Sequence, residues 1–378
     1  MRKAMMKRRH FLTTAGLTLP ASTLLSNSSQ AAPGSVNPAG ETLDARRMEI
    51  LRWFEENEYG LPPQGMSSSI SWAASPAPDA GMVAEIGTLV VSASDGRKAE
   101  IPVKLFRSAE AKGKLPATLF ICNRGHEEME YRADAEFWPV ADILATGWMA
   151  VAFNVKDVSH DEPEEWAKNP GIVVFDSTPA GPSRGKALSA WAWVASEIRA
   201  HLCQREDVEK GRIAVIGHSR GGKAALLAGA RDSGFAVSYS SSSGCGGAGH
   251  NATREGEKIA DITSRFPNWF CDRFAEFSGK DGTVEYDQHH LLGCIAPQRV
   301  YVSSSADDAW ADPKSEYFSC QLATPIHQFR GVQGLAEENL PFPKENEKRH
   351  GGSIGYHLHE GEHNLRRADW KWFLEFVG

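Results

Sequence analysis

Gly217-His218-Ser219-Arg220-Gly221-Gly222-Lys223 joins two segments of different character. The apolar run Ile213 to Ile216 leads into it, and Ala224-Ala225-Leu226-Leu227-Ala228-Gly229-Ala230 leads out. The order is a buried strand, then G-x-S-x-G, then a helix of small residues. A serine in that setting sits on a sharp strand-to-helix turn with its hydroxyl aimed out of the sheet. Glycines flank it because a Cβ there would crowd the serine in a strained turn. The helix behind the serine presents backbone N–H groups and the positive end of its dipole to a developing oxyanion. Ser219 is therefore the candidate nucleophile.

Outward from this turn, strands alternate with helices. Residues 83–91 and 99–107 alternate apolar and polar around Asp95-Gly96, a hairpin turn pair. Ala117 to Cys122 and Trp148 to Asn154 read as short buried strands, the first ending in the polar loop Asn123-Arg124-Gly125-His126. Further strands are expected at Phe235 to Tyr239 and Arg299 to Ser303. Thr42 is a candidate N-cap for a helix to Asn57, with Met48, Leu51 and Phe54 at apolar spacing. A second helix over Leu188 to Leu202 carries Leu188, Trp191, Val194, Ala195 and Ile198 on one face. The last helix runs from Asp369 to Val377. This pattern predicts an α/β class: a mostly parallel central sheet flanked by helices on both faces. Residues 241–290, rich in Gly, Ser and charge, are expected to cap the sheet, and 331–352 to form a long polar loop.

A serine needs a base to take its proton, and the base needs an acid to orient it. On such a fold the chain order is serine, acid, histidine. The loop after the late strand, Ser304-Ser305-Ala306-Asp307-Asp308-Ala309-Trp310, offers Asp307 and Asp308. His357, His359 and His363 precede the last helix, with His363 nearest to it. His359-Glu360-Gly361-Glu362-His363 also fits H-E-x-x-H, a zinc-hydrolase signature. That motif works only on a helix, and Gly351, Gly352, Gly355 and Gly361 argue against one here. No metal and no cofactor is expected.

The chain has 378 residues and a net charge of −7, the balance of a globular protein that does not grip nucleic acid. Its one basic run, Lys7-Arg8-Arg9, opens a short mild apolar stretch that closes at Ala31-Ala32. This reads as a twin-arginine-type signal peptide over residues 1–32, followed by a linker over 33–40 and the catalytic domain over 41–378. The apolar stretch is too short to span a bilayer. Export to the periplasm or medium, no membrane insertion after cleavage, and a monomer are the expectations. Cys122, Cys203, Cys245, Cys271, Cys294 and Cys320 show no C-x-x-C spacing, and no bridge is assigned.

Taken together, the Gly217–Lys223 run, the segment Tyr286-Asp287-Gln288-His289-His290 through Ile295-Ala296-Pro297, the run Asp308-Ala309-Trp310-Ala311-Asp312-Pro313 and Glu360-Gly361-Glu362-His363 resemble the glucuronoyl esterases, carbohydrate esterase family fifteen. The likeness covers most of residues 45–378. It implies an α/β-hydrolase fold and cleavage of (4-O-methyl-)glucuronic acid esters, such as those joining glucuronoxylan to lignin alcohols. It further implies Ser219 as nucleophile, His363 as base and Arg220 as a donor on the oxyanion side. Lys223, Glu257 and Trp310 would hold the uronate. Fungal members carry the acid in a Glu-Ser-Gly-x-Gly-Gly run; here Ser242 takes the place of that glutamate, so the acid falls to the later loop, where the Asp-x-Trp spacing selects Asp308. A cysteine pair that flanks the serine and histidine in fungal members is replaced by His218 and Asn364. Other readings are an acetyl-xylan type of esterase on the same fold, a metal-dependent hydrolase, or a silent carbohydrate-binding protein.

Overall fold

The computed structural model describes residues 42–168, 180–335 and 340–378. The expected signal segment and linker lie outside them. Ten strands form one sheet: β1 (Met66–Ser75), β2 (Met82–Ala93), β3 (Lys98–Ser108), β4 (Leu115–Cys122), β5 (Met149–Asn154), β6 (Val208–His218), β7 (Val237–Ser241), β8 (Arg299–Ser305), β9 (Glu347–Arg349) and β10 (Ile354–His359). Their order in space is β1-β2-β3-β5-β4-β6-β7-β8-β10-β9. From β5 across to β10 every pairing is parallel, while β1, β2, β3 and β9 add antiparallel ends. The expected α/β-hydrolase-like architecture is therefore present.

Alternation along the central strands divides the interior in two. In β4, Leu119 and Ile121 join one apolar cluster and Phe120 and Cys122 the other; in β6, Ile213 and Val215 oppose Ala214 and Ile216. Helices Leu43–Asn57, Ala187–Leu202, Arg220–Arg231, Gln288–Ile295 and Pro313–Phe329 feed the first cluster, and Val140–Ala145 and Arg367–Val377 the second. Each fully buried Leu, Ile, Val or Phe contributes roughly 1.5–3 kcal/mol. Strands covered on both faces are continuous apolar runs, which is why they were legible.

The hairpin forms as expected, with Ser92 opposite Lys98 and Gly96 at φ 90°. Thr42 caps its helix, accepting from Ala45 N at 3.1 Å. Met48 departs from expectation: it is 55% exposed, because the buried face of that helix is centred on Ile50, Leu51 and Phe54. The helix Ala187–Leu202 is enclosed well beyond one face, with Ala190 and Ala192 buried as well.

Parallel pairing sets the site. Ser305 at the end of β8 is in register with His359 at the end of β10, and His218 at the end of β6 with Ser241 of β7. The loops that follow these strands emerge at one edge of the sheet, beside one another.

Candidate active site

Ser219 caps the helix Arg220–Arg231 with φ 54° and ψ −124°. A non-glycine residue held there costs on the order of 1–3 kcal/mol. The turn is pinned from both sides: Ser219 N donates to Ser241 O at 2.7 Å, and Gly222 N donates to Ser219 O at 2.9 Å. A Cβ on Gly217 would come within 2.1 Å of Gly221 O, and one on Gly222 within 2.8 Å of Ser240 Oγ. The glycine spacing is thus a steric requirement of the turn.

His363 stands in the loop after β10, its side chain 43% exposed, with Nδ1 2.6 Å from Asp308 Oδ2. Burial alone would raise the Asp308 carboxyl, but hydrogen bonds from His363 and from Ala311 N–H outweigh it and hold the group below the usual carboxylate range. An ionised carboxylate only accepts, so Nδ1 of His363 carries the proton and Nε2 keeps its lone pair. Asp307 is exposed and its side chain has no such partner; its N–H donates to Gly361 O. Of the two carboxylates, Asp308 is the one that meets the His363 ring.

Ser219, Arg220, Lys223, Glu257, Asp308, Trp310 and His363 all line one cleft of about 360 Å³. A larger hollow of about 470 Å³ lies at residues 342–345, Ala306 and Leu358, and contains neither a nucleophilic serine nor a histidine. Volume does not pick the site; chemistry does. The Arg220 guanidinium is held by Asp161 Oδ2 at 2.6 Å and Asn123 O at 3.0 Å, above the Trp269 ring. Lys223 is no surface lysine. It is 3% exposed, and its ammonium donates to Ser243 O and, at 2.5 Å, to Cys245 O. Burial lowers its pKa, with Glu257 opposing. Two of its three N–H donors are engaged in this way. Glu257 is buried and accepts from Trp310 Nε1 at 3.1 Å, while Trp310 itself is 49% exposed, so the indole is tied at its edge with much of its surface open. A flat surface, a buried carboxylate and a buried ammonium line the same cleft as the serine.

The H-E-x-x-H stretch is strand and then loop: His359 closes β10, and Gly361 has φ 90°. The two histidines do not share a helix face. His357 is buried between Asp369 and Tyr301, and His359 between Ser305 and Glu360 O. Ser242, where a glutamate was the alternative, has φ 44° and bonds to Ser305 Oγ at 3.0 Å. All six cysteines are unpaired.

Three features escaped the sequence reading. Asp161 lies just past the C-terminal end of β5, a position that marks it in retrospect. Phe266 and Trp269, stacked at 3.8 Å, line the same cleft as Trp310, and the aromatic cluster Phe266-Pro267-Asn268-Trp269-Phe270 inside a polar stretch was the available signal. Glu316, fully buried, accepts from Ser243 N at 2.8 Å, Gly244 N at 2.9 Å and Ser304 Oγ at 2.6 Å.

A family profile described as "Glucuronyl esterase, fungi" matches residues 135–331. The chain is 30% identical to "Carbohydrate esterase MZ0003", from an unknown prokaryotic organism, over 90% of this chain and 86% of that protein. The chain belongs to the glucuronoyl esterase family. The "4-O-methyl-glucuronoyl methylesterase" of Podospora anserina is 27% identical over 81% of this chain and 60% of its own length. The solved glucuronoyl esterase from Solibacter usitatus superposes with a TM-score of 0.78 at 26% identity, covering 94% of this chain and 98% of that one. This glucuronoyl esterase family member is a serine hydrolase acting on carbohydrate esters, with a His-Asp pair at its cleft.

Within the esterase, Glu316 supports the 243–244 turn from below, and its burial raises its pKa from 4.5 to about 7. The sign follows from proton counting. Between pH 4.5 and about 7 the folded state retains a proton that the unfolded chain has released, so stability falls as pH rises through that window. The contribution is at most about 3 kcal/mol. Glu316→Gln keeps an acceptor for both N–H groups and stays neutral. Its urea midpoint relative to the parent is expected to move in its favour from pH 5 to pH 8. A pH-independent gap would show that Glu316 is not titrating.

Proposed function

We propose that this protein is an exported serine esterase that hydrolyses esters of (4-O-methyl-)glucuronic acid, of the kind that join glucuronoxylan to lignin alcohols. The observation that carries this reading is the meeting of Ser219, Arg220, Lys223, Glu257, Asp308, Trp310 and His363 in one cleft, with Asp308 on His363 at 2.6 Å. The relatives named as glucuronoyl esterases support the acyl group, and Lys7-Arg8-Arg9 with its apolar stretch supports export.

In this mechanism Ser219 Oγ attacks the ester carbonyl while His363 Nε2 takes its proton. Asp308 stabilises the imidazolium. Negative charge develops on the carbonyl oxygen beside the Arg220 guanidinium and the N-terminus of the helix Arg220–Arg231. Arg220 is held in place before substrate arrives, so its contribution is largest in the transition state. His363 returns the proton to the departing alcohol, leaving an acyl-enzyme on Ser219. Water, deprotonated by His363, then releases the uronate. Lys223 and Glu257 serve the sugar hydroxyls, and Trp310 supplies a surface for the ring. Phe266 and Trp269 give the same cleft an apolar surface that suits an aromatic alcohol.

The test is a rate comparison. Benzyl and methyl glucuronate are expected to turn over faster than methyl galacturonate, and all three faster than an acetylated sugar. Faster release of acetate would favour an acetyl-xylan type of esterase and overturn the uronate assignment.

A further inference from the structure

His363 is attached to the rest of the site by few bonds. Its side chain is 43% exposed, it sits in a loop, and the neighbouring Gly361 has open space around the position a Cβ would take. One hydrogen bond to Asp308 fixes one ring atom and leaves the ring free to swing about that bond. Something else must hold it, because displacement of a reacting group by about 1 Å can cost about a hundredfold in rate.

Two contacts meet that need, and they come from separate parts of the chain. The ring of His218, which ends β6, lies 4.5 Å from the His363 ring at 45°. The Arg124 guanidinium, in the loop after β4, donates to Asn364 Oδ1 at 2.6 Å, and the same oxygen accepts from Leu365 N at 2.9 Å. One buried ring stands under both: Phe137 is 3.8 Å from Arg124 Cζ and meets His218 edge-on at 5.8 Å. Leu365 is fully buried in the second apolar cluster. The histidine loop is therefore fastened at residue 363 by a ring face and at 364–365 by a charged hydrogen bond and an apolar anchor.

We infer that His218 and Arg124 are positioning residues of the catalytic centre, which together hold the imidazole of His363 in the cleft that contains Ser219. This rests on the esterase reading of that cleft but not on the uronate as substrate. The charged and titratable groups around His218 are His363, Arg124, Arg220 and His359. Burial, and then like-charge repulsion from His363, Arg124, Arg220 and His359 whenever these carry a proton, push the His218 pKa well below its ordinary value. His218 stays neutral and leaves an adjacent imidazolium unopposed, where a charged ring would destabilise it. Among the described residues, Asp308 is the one carboxylate bonded to the His363 ring.

The experiment measures the rate at which a fluorophosphonate labels Ser219, a readout of serine activation independent of the acyl group, beside kcat and KM on methyl glucuronate. His218→Ala, Arg124→Ala and Asn364→Ala are each expected to slow labelling and lower kcat by about 10- to 100-fold, with KM within about threefold. His218→Phe, which keeps a neutral ring face, should recover most of the loss. Arg124→Ala and Asn364→Ala combined should lose less than the sum of the two single losses, since both remove the Arg124–Asn364 bond. Unchanged labelling in the three alanine variants would overturn the inference, as would additive losses in the Arg124/Asn364 pair. Should His218→Ala fail to fold, the Arg124/Asn364 cycle decides alone. A parent that labels rapidly but ignores glucuronate esters would sink the substrate reading and leave this one standing.

Discussion

Ser219→Ala is expected to lower kcat on methyl glucuronate by about a million-fold and to abolish fluorophosphonate labelling. Ser242 and Ser243 also line the cleft, but Ser242 Oγ is bonded to Ser305 Oγ, and Ser243 Oγ to Ser240 Oγ and Ala248 N. The Ser219 hydroxyl is the group that the strained turn at φ 54° presents, and Asp308 fixes the His363 tautomer that can deprotonate it. The backbone bonds that hold the turn do not involve the side chain, so the variant should unfold at nearly the parental temperature and still bind the uronate product. Residual activity within tenfold of the parent would mean that the ester is attacked by some other group.

Asp308→Asn should cost about ten-thousand-fold in kcat with the cleft intact. The carboxamide is the same shape, and its oxygen can still accept from Ala311 N, which now lies 3.0 Å from Asp308 Oδ1. Its amide, however, donates towards His363 Nδ1. That places the ring proton on Nε2, facing the serine, where a base is required. Asp307→Asn, at an exposed position, is the control and should behave like the parent. Loss of activity on changing Asp307 rather than Asp308 would show that the His-Asp pair has been misassigned.

Much of this arrangement was legible before any coordinates. The run Ile213 to Ala230 carried strand, turn and helix in one stretch, because each of its glycines answers to a neighbouring backbone or side chain. β4, β5 and β8 were legible as apolar runs, since both faces are covered. β1 was missed: Met66–Ser75 is serine-rich, sits at the sheet's edge and buries little. β10 was hidden because three of its six residues are Gly or His, and its burial comes from tertiary neighbours rather than composition. The same limit applied to the site. The strand, G-x-S-x-G turn and helix singled out Ser219, chain order narrowed the acid and base to short lists, and resemblance chose among them. Asp161 and Glu316 act through backbone and side-chain partners distant in sequence, and no local pattern announces that.

The ammonium of Lys223 has a consequence for selectivity. A cation enclosed this deeply, with two of three hydrogens engaged on carbonyls, has one donor that must be met by whatever fills the cleft. A polyhydroxylated acyl group meets it. A bare acetyl cannot, and it forgoes that hydrogen bond, at a cost of about 1–3 kcal/mol. On the proposed uronate reading, the pocket discriminates against the wrong acid through the hydrogen bond that acid fails to make.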